Sequence, residues 1–242
     1  MILDSSDGCG IQVAPPAPRM NQFFADKVLE VQWLQEQHDR YFHHEIHTLP
    51  LAQKLTHFVL HMGKYSGNLM ELHQADNLRE FRRKVVDAVI IAMSMANTLQ
   101  INLGGYVAET LKEHSDNVNV GNMATYMYRH KCNMAFGKMP SQFDGLVHFI
   151  SAVGDMSSAI TDYEDGLGSS PRMCLTTAVV DAFHWALFLY SSSQQAAESL
   201  MPIHTSIMNR LVQVEKKNMF YRFLPSRASF YNSPNGLSPH ES

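Results

Sequence analysis

The 242-residue chain is 45% hydrophobic and 17% charged, too apolar for intrinsic disorder and too poor in charge for a solvated coiled coil. Nineteen Lys and Arg against 23 Asp and Glu give a formal net charge of −4, which excludes a chain-wide basic surface for tracking a phosphate backbone and leaves room only for a local patch. The length suits one sizeable core or two small ones.

No run of 18 uncharged apolar residues occurs, and the opening MILDSSDGCGIQV is acidic where a secretion signal is basic. A soluble, cytoplasmic protein without a membrane partner is therefore expected. Cys9, Cys132 and Cys174 are odd in number and widely spaced, which suits neither a disulfide framework nor a CxxC metal site. The unusual counts are 13 His and 15 Met.

Residues 1–18, with prolines at 15, 16 and 18, read as a flexible tail, and so do the Ser/Pro/Asn/Gly-rich residues 224–242. Between them the pattern predicts helices. From Asn21 to about His43, Phe24, Val28, Val31, Leu34, Tyr41 and Phe42 recur near the 3.6-residue period. Thr48 and Pro50 then offer a capping residue and a first-turn proline. The helix they open carries Leu51, Leu55, Phe58, Val59, Met62, Tyr65, Leu69 and Leu72 along one side, with His57, His61, Lys64, Asn68 and Glu71 along another. Residues 76–97 form a third helix that becomes apolar all round after Arg83, so Asp87 is a buried charge that needs a partner. Gly104-Gly105 is expected to break the pattern before a shorter helix running to about His114.

The second half repeats the scheme. Leu55-Thr56-His57-Phe58 is matched by Leu146-Val147-His148-Phe149, and Gly63 by Gly154, at an offset of 91. Val85-Val86-Asp87-Ala88 is matched by Val179-Val180-Asp181-Ala182 at an offset of 94. This divides the chain into a first helical repeat at 19–118, a linking helix within 119–139 (Asn122 to about Phe136), and a second repeat at 140–223 that closes with a helix from Ile203 to Tyr221. The expected fold is an all-α helical bundle.

The buried aspartates direct attention to their facing helix. In the first repeat Lys64 stands there and is expected to neutralise Asp87. In the second the same position is Asp155, so Asp155 and Asp181 would be two carboxylates forced to share a proton or a cation. Asp162 lies on the face of Asp155, with Glu164 and Asp165 just beyond. Oxygen ligands converging from two helices suit Mg²⁺, whereas a solvated helix end explains the same residues without a metal. His184, three residues after Asp181, reads as a hydrogen-bonded core histidine. His57 and His61 at i, i+4 have metal-clasp spacing but lack the carboxylate of a metalloprotease motif, and helix packing explains them as well. His43, His44 and His47 suit a helix end. P-loop, GxGxxG and GxSxG motifs are absent. Met93, Met95, Met123, Met127 and Met134 fall at helical spacing and read as core filling.

Val86 to Leu103 (VDAVIIAMSMANTLQINL), followed by Leu111-Lys112, resembles the third helix and exit turn of MazG-like all-α nucleotide pyrophosphohydrolases, in which a helix containing ExxD leads into AN-x-LGI-x-L. Glu215 to Met219 with Arg222 is similar to the Lys/Asn/Arg-bearing last helix of that superfamily. The resemblance implies a bundle built from two MazG-like repeats. It also implies Mg²⁺ held by ExxE on one helix and ExxD on the next, and hydrolysis of a nucleoside triphosphate to monophosphate and pyrophosphate. Carried over, the ExxE positions hold Lys64 and Gly67 in the first repeat and Asp155 and Ser158 in the second. The ExxD positions hold Lys84 and Asp87, then Ala178 and Asp181.

The resemblance thus implies Asp181, Asp155, Lys64 and Asp87 as catalytic residues. Lys84, Arg83, Lys217, Asn218 and Arg222 are implied as substrate-binding, and Asp155, Asp162 and Asp181 as metal ligands, with Lys64 supplying charge where a carboxylate has been lost. Three functions follow: a Mg²⁺-dependent enzyme acting on a nucleotide phosphate in nucleotide-pool or DNA-modification metabolism, a protein that binds a nucleotide or modified nucleotide without hydrolysis, or a helical adaptor. A homodimer and a nucleic-acid partner are compatible with all three.

Overall fold

The computed structural model describes residues 20–112, 140–166, 171–193 and 203–217. The expected tails, the linking helix at 122–136, and Asn218 and Arg222 lie outside the described residues. The described residues form eight α-helices and no strand. They are α1 (Met20–Phe42), α2 (His44–His47), α3 (Leu51–Gln74), α4 (Leu78–Thr98), α5 (Leu103–Lys112), α6 (Gln142–Glu164), α7 (Pro171–Ser192) and α8 (Ile203–Lys217). The all-α helical bundle expected from periodicity is what the described residues form.

Two hairpins make the centre. α3 packs on α4 and α6 on α7, while α4 meets α7 and α3 meets α6, so the four helices close a ring. α1 and α8 pack on α4 and on each other, with Tyr190 of α7 hydrogen-bonded to Ser206 of α8 at 2.6 Å, and α5 returns along α1. The offsets read from sequence also relate the helices themselves. Leu51 and Gln142, which open α3 and α6, are 91 apart like His57 and His148, and Thr98 and Ser192, which close α4 and α7, are 94 apart like Asp87 and Asp181. Burial repeats too, with Leu55, Phe58, Met62 and Leu69 matched by Leu146, Phe149, Val153 and Ile160. Residues of both hairpins belong to one contiguous apolar cluster, so the two units share a single core.

α7 buries Ala182 through Tyr190 without a break, as expected of a helix enclosed on all sides. It is also long and apolar enough to cross a membrane, with mean hydropathy 1.4, but 72% of that window is packed inside the protein, as in the core helix of a globular bundle.

Three local expectations are corrected. Pro50 is the residue before α3 and not its first turn, and Thr48 closes α2, its hydroxyl donating to the His44 carbonyl at 3.0 Å. α4 ends at Thr98 in a Schellman turn, with Gln100 at φ +58, Gln100 N–H donating to Asn97 O and Ile101 N–H to Ala96 O. Gly104 and Gly105 therefore lie inside α5 and do not break a helix. A Cβ on Gly104 would sit 2.6 Å from the Ala25 carbonyl, so glycine is what lets α5 press against α1.

Candidate functional site

On α1 the buried stripe does not continue through Leu34 and Tyr41, the apolar positions read from sequence; Leu34 is half-buried and Tyr41 exposed. It begins with Ala25, Val28 and Val31 and proceeds through Gln32, Gln35 and His38 to Phe42. A polar stripe facing the core must find its partners there. Gln32 Nε2 donates to Asn97 Oδ1 (2.9 Å) and to the Ile101 carbonyl (2.7 Å), and its Oε1 accepts from Leu103 N–H (3.0 Å). Gln35 Oε1 accepts from Asn97 Nδ2 (2.8 Å), and its Nε2 donates to Ser94 Oγ (2.6 Å) and Asp39 Oδ2 (2.5 Å). Asn97 thus ties α4 to α1.

Beyond this network α1 and α4 part, leaving a cleft of about 380 Å³ between α1, α2, α3, α4 and α8. That volume lies in the range of small-ligand sites. Its polar side carries Glu36, His38, Asp39, His43, Glu45 and His47 from the α1–α2 region, and Lys54, His57 and His61 from α3. Its apolar side is Phe58, Ile90, Ile91, Leu211 and Val214.

His38 is 2% exposed, yet neither ring nitrogen has a hydrogen-bond partner. An unmet polar group in such a place costs about 1–3 kcal/mol. Asp39 Oδ1 lies 3.6 Å from His38 Nδ1, and the His43 ring centroid is 5.5 Å from that of His38. Donor atoms of His38, Asp39 and His43 all lie within 4.8 Å of one another, and no other set of three or more His, Cys, Asp or Glu donors does so among the described residues. Burial alone would raise the Asp39 carboxyl, but the nearby His38 ring and the polar groups of Gln35 and Ser94 outweigh it and hold the group below its ordinary range. Across the cleft the His57 and His61 rings are 4.6 Å apart. Burial, then the charges of His57, Lys64 and His43, keep His61 below its ordinary value.

Asp87 is buried and borders the same cleft, and its partner is not Lys64. Lys64 is exposed, whereas Arg210 from α8 grips Asp87 through two nitrogens and Lys84 Nζ stands 3.8 Å away. Sequence separation hid this pair; α8 returns to α4 only in three dimensions. Lys84 also lies over the Tyr65 ring at 5.6 Å, and burial, then the Asp87 charge, push the Tyr65 hydroxyl up to about 12. Arg83 points to Glu80, with Nε at 2.8 Å and Nη2 at 2.6 Å from Oε2, and does not border the cleft. Lys217 closes α8.

The second repeat does not assemble the carboxylate site expected of it. Asp155 and Asp162 are exposed on α6, Asp181 is half-buried on α7, and the three do not bring their oxygens within 4.8 Å of one another. As placed, these three carboxylates do not form a common donor set. His184 is buried, as expected of a core histidine.

The repeat explains why the cleft belongs to the first half. Ser94 and Ile91, which line it, correspond to Phe188 and Trp185, and Lys54 corresponds to Gly145. Phe188 presses so closely on α6 that a Cβ on Gly145 would lie 2.5 Å from its ring, and Trp185 stacks on His148 with centroids 4.5 Å apart. Aromatic side chains fill the second half where the first is polar and open.

A smaller, mostly apolar cavity of about 280 Å³ lies at the end of the bundle between Leu55, Leu99, Ile160 and Leu175, with Arg172 donating to the Leu99 carbonyl at 3.3 Å.

Among the described residues, fold and site together define an all-α bundle of two similarly patterned helical hairpins with a histidine-lined cleft in its first half. No protein-family model, curated protein or solved structure matches the chain.

Proposed function

We propose that this protein is a divergent MazG-like protein whose cleft binds the phosphates of a nucleotide or modified nucleotide. The observation that carries the reading is the Asp87–Arg210 pair at the cleft wall. Arg210 uses Nε and Nη2 on Asp87, which leaves Nη1 for a phosphate oxygen. Lys54 and His57 from α3 add donors for the remaining oxygens. Phe58, Ile90, Ile91, Leu211 and Val214 offer apolar surface to a base.

The reading departs from the family in its use of metal. Where MazG-like enzymes place four carboxylates, this half has Lys64, Gly67, Lys84 and an Asp87 already neutralised. Cations therefore hold the substrate, and binding does not require Mg²⁺. This favours a nucleotide-binding protein over a Mg²⁺-dependent pyrophosphohydrolase.

The test is a thermal-shift and calorimetric titration of the full chain with the four dNTPs and the corresponding monophosphates, without and with Mg²⁺, alongside a pyrophosphate-release assay. Mg²⁺-independent stabilisation is expected, abolished by Arg210→Gln and weakened by His57→Gln. No stabilisation by any nucleotide sinks the reading. Mg²⁺-dependent pyrophosphate release lost on Asp155→Asn would restore the hydrolytic one.

A further inference from the structure

His38, Asp39 and His43 have a chemistry of their own, separate from the nucleotide reading. We propose that these three residues form a binding site for a transition-metal dication of the zinc class. Two imidazoles and one carboxylate are the donor set of open zinc centres and of facial-triad iron sites, and nitrogen donors select such ions over Mg²⁺ and Ca²⁺.

His38 carries the argument. It borders the cleft, is 2% exposed, and has no hydrogen-bond partner on either nitrogen, so a metal–nitrogen bond would satisfy a group that the protein leaves unmet. Zinc about 2.0–2.2 Å from each donor places the donors roughly 3.4 Å apart. The three start within 4.8 Å of one another, a gap that side-chain rotation can close.

The surroundings hold the ligands in place as metal sites require. Gln35 donates to Asp39 Oδ2 and is itself fixed by Asn97 and Ser94, which leaves Oδ1, the oxygen nearer His38, for the metal. His43 sits in the irregular link between α1 and α2, its backbone N–H tied to the Asp39 carbonyl at 3.0 Å, and Glu45 Oε1 stands 3.8 Å from its Nδ1. Three protein donors leave a coordination position directed into the cleft, where water or an anionic ligand completes the sphere.

The test uses the full chain stripped of metal by a chelator and titrated with Zn²⁺ by calorimetry and with Co²⁺ by visible absorption. One equivalent is expected, with the intense d–d bands of tetra- or pentacoordinate cobalt, and millimolar Mg²⁺ is expected not to compete. His43→Ala, at a half-exposed position, and Asp39→Asn should each weaken binding by about tenfold or more. The double variant His57→Gln/His61→Gln should bind as the parent does. Circular dichroism confirms that each variant is folded; if His38→Ala fails that check, His43→Ala decides the matter. Absence of binding by the folded parent overturns the proposal. So does binding that survives His43→Ala, or binding lost only in the His57/His61 variant, which would place the metal on α3.

Discussion

Arg210 on α8 reaches Asp87 on α4 across 123 residues of chain, Nε donating to Oδ1 at 2.5 Å and Nη2 to Oδ2 at 3.2 Å. Asp87 has 6% of its side chain exposed and Arg210 14%, so the pair is largely withdrawn from water. Removing one partner of a buried pair strands the other charge, at a cost of about 3–5 kcal/mol, whereas replacing both by apolar groups of similar size is often close to neutral. Arg210→Met is therefore expected to destabilise strongly and Asp87→Leu/Arg210→Met to recover most of the loss. Urea denaturation in a double-mutant cycle reads the coupling, and additive losses would show that the contact carries little energy.

Gly145 and Phe188 set the spacing of α6 on α7. A methyl group there meets a ring that is itself 1% exposed and cannot swing into solvent. Gly145→Ala is expected to cost about 1–3 kcal/mol by overpacking, with partial recovery in Gly145→Ala/Phe188→Leu. A melting temperature unchanged by Gly145→Ala would show that the helices separate without penalty.

Gln32 links Asn97, the Ile101 carbonyl and the Leu103 N–H, joining the end of α4, the start of α5 and α1. Gln32→Met keeps the volume and removes the bonds, leaving buried groups unmet at about 1–3 kcal/mol. The expected signature is faster amide hydrogen exchange at Leu103 together with a lower melting temperature. Retained protection at Leu103 would contradict it.

His61 is expected to titrate below its ordinary value of 6.5, because burial and then His57, Lys64 and His43 disfavour its imidazolium. A histidine depressed in the folded state contributes stability above 6.5 that is lost as pH falls through the folded value, because the unfolded chain takes up the proton first. His61→Gln should therefore lose less stability than the parent on acidification below 6.5. NMR titration of the ring should show an upward move in His57→Gln, and an unmoved His61 would remove His57 as a cause.

The elements were legible in the sequence because they depend on local period and on the duplicated landmarks. The positions that open and close α3, α4, α6 and α7 follow from the two offsets to within a residue. The cleft was not, because it is assembled from α1, α2 and α8 laid over α3 and α4, and pairing across the fold leaves no periodic trace. Lys64 is next to Asp87 in a repeat comparison and Arg210 is not, yet a helix returning from the far end of the chain supplies the counter-charge. One compositional signal pointed the right way: six of the 13 histidines fall between His38 and His61. Five of the six, His38, His43, His47, His57 and His61, line the cleft.

The filled second half is also a template for the open first half. Phe188, Trp185 and Gly145 show which side chains this hairpin accepts when its interior is closed, so Ser94→Phe, Ile91→Trp and Lys54→Gly transplant a packing solution that the protein already contains. Such a chain would close its cleft at the cost of the Gln35–Ser94 hydrogen bond, giving a ligand-blind twin against which binding measurements on the parent could be read.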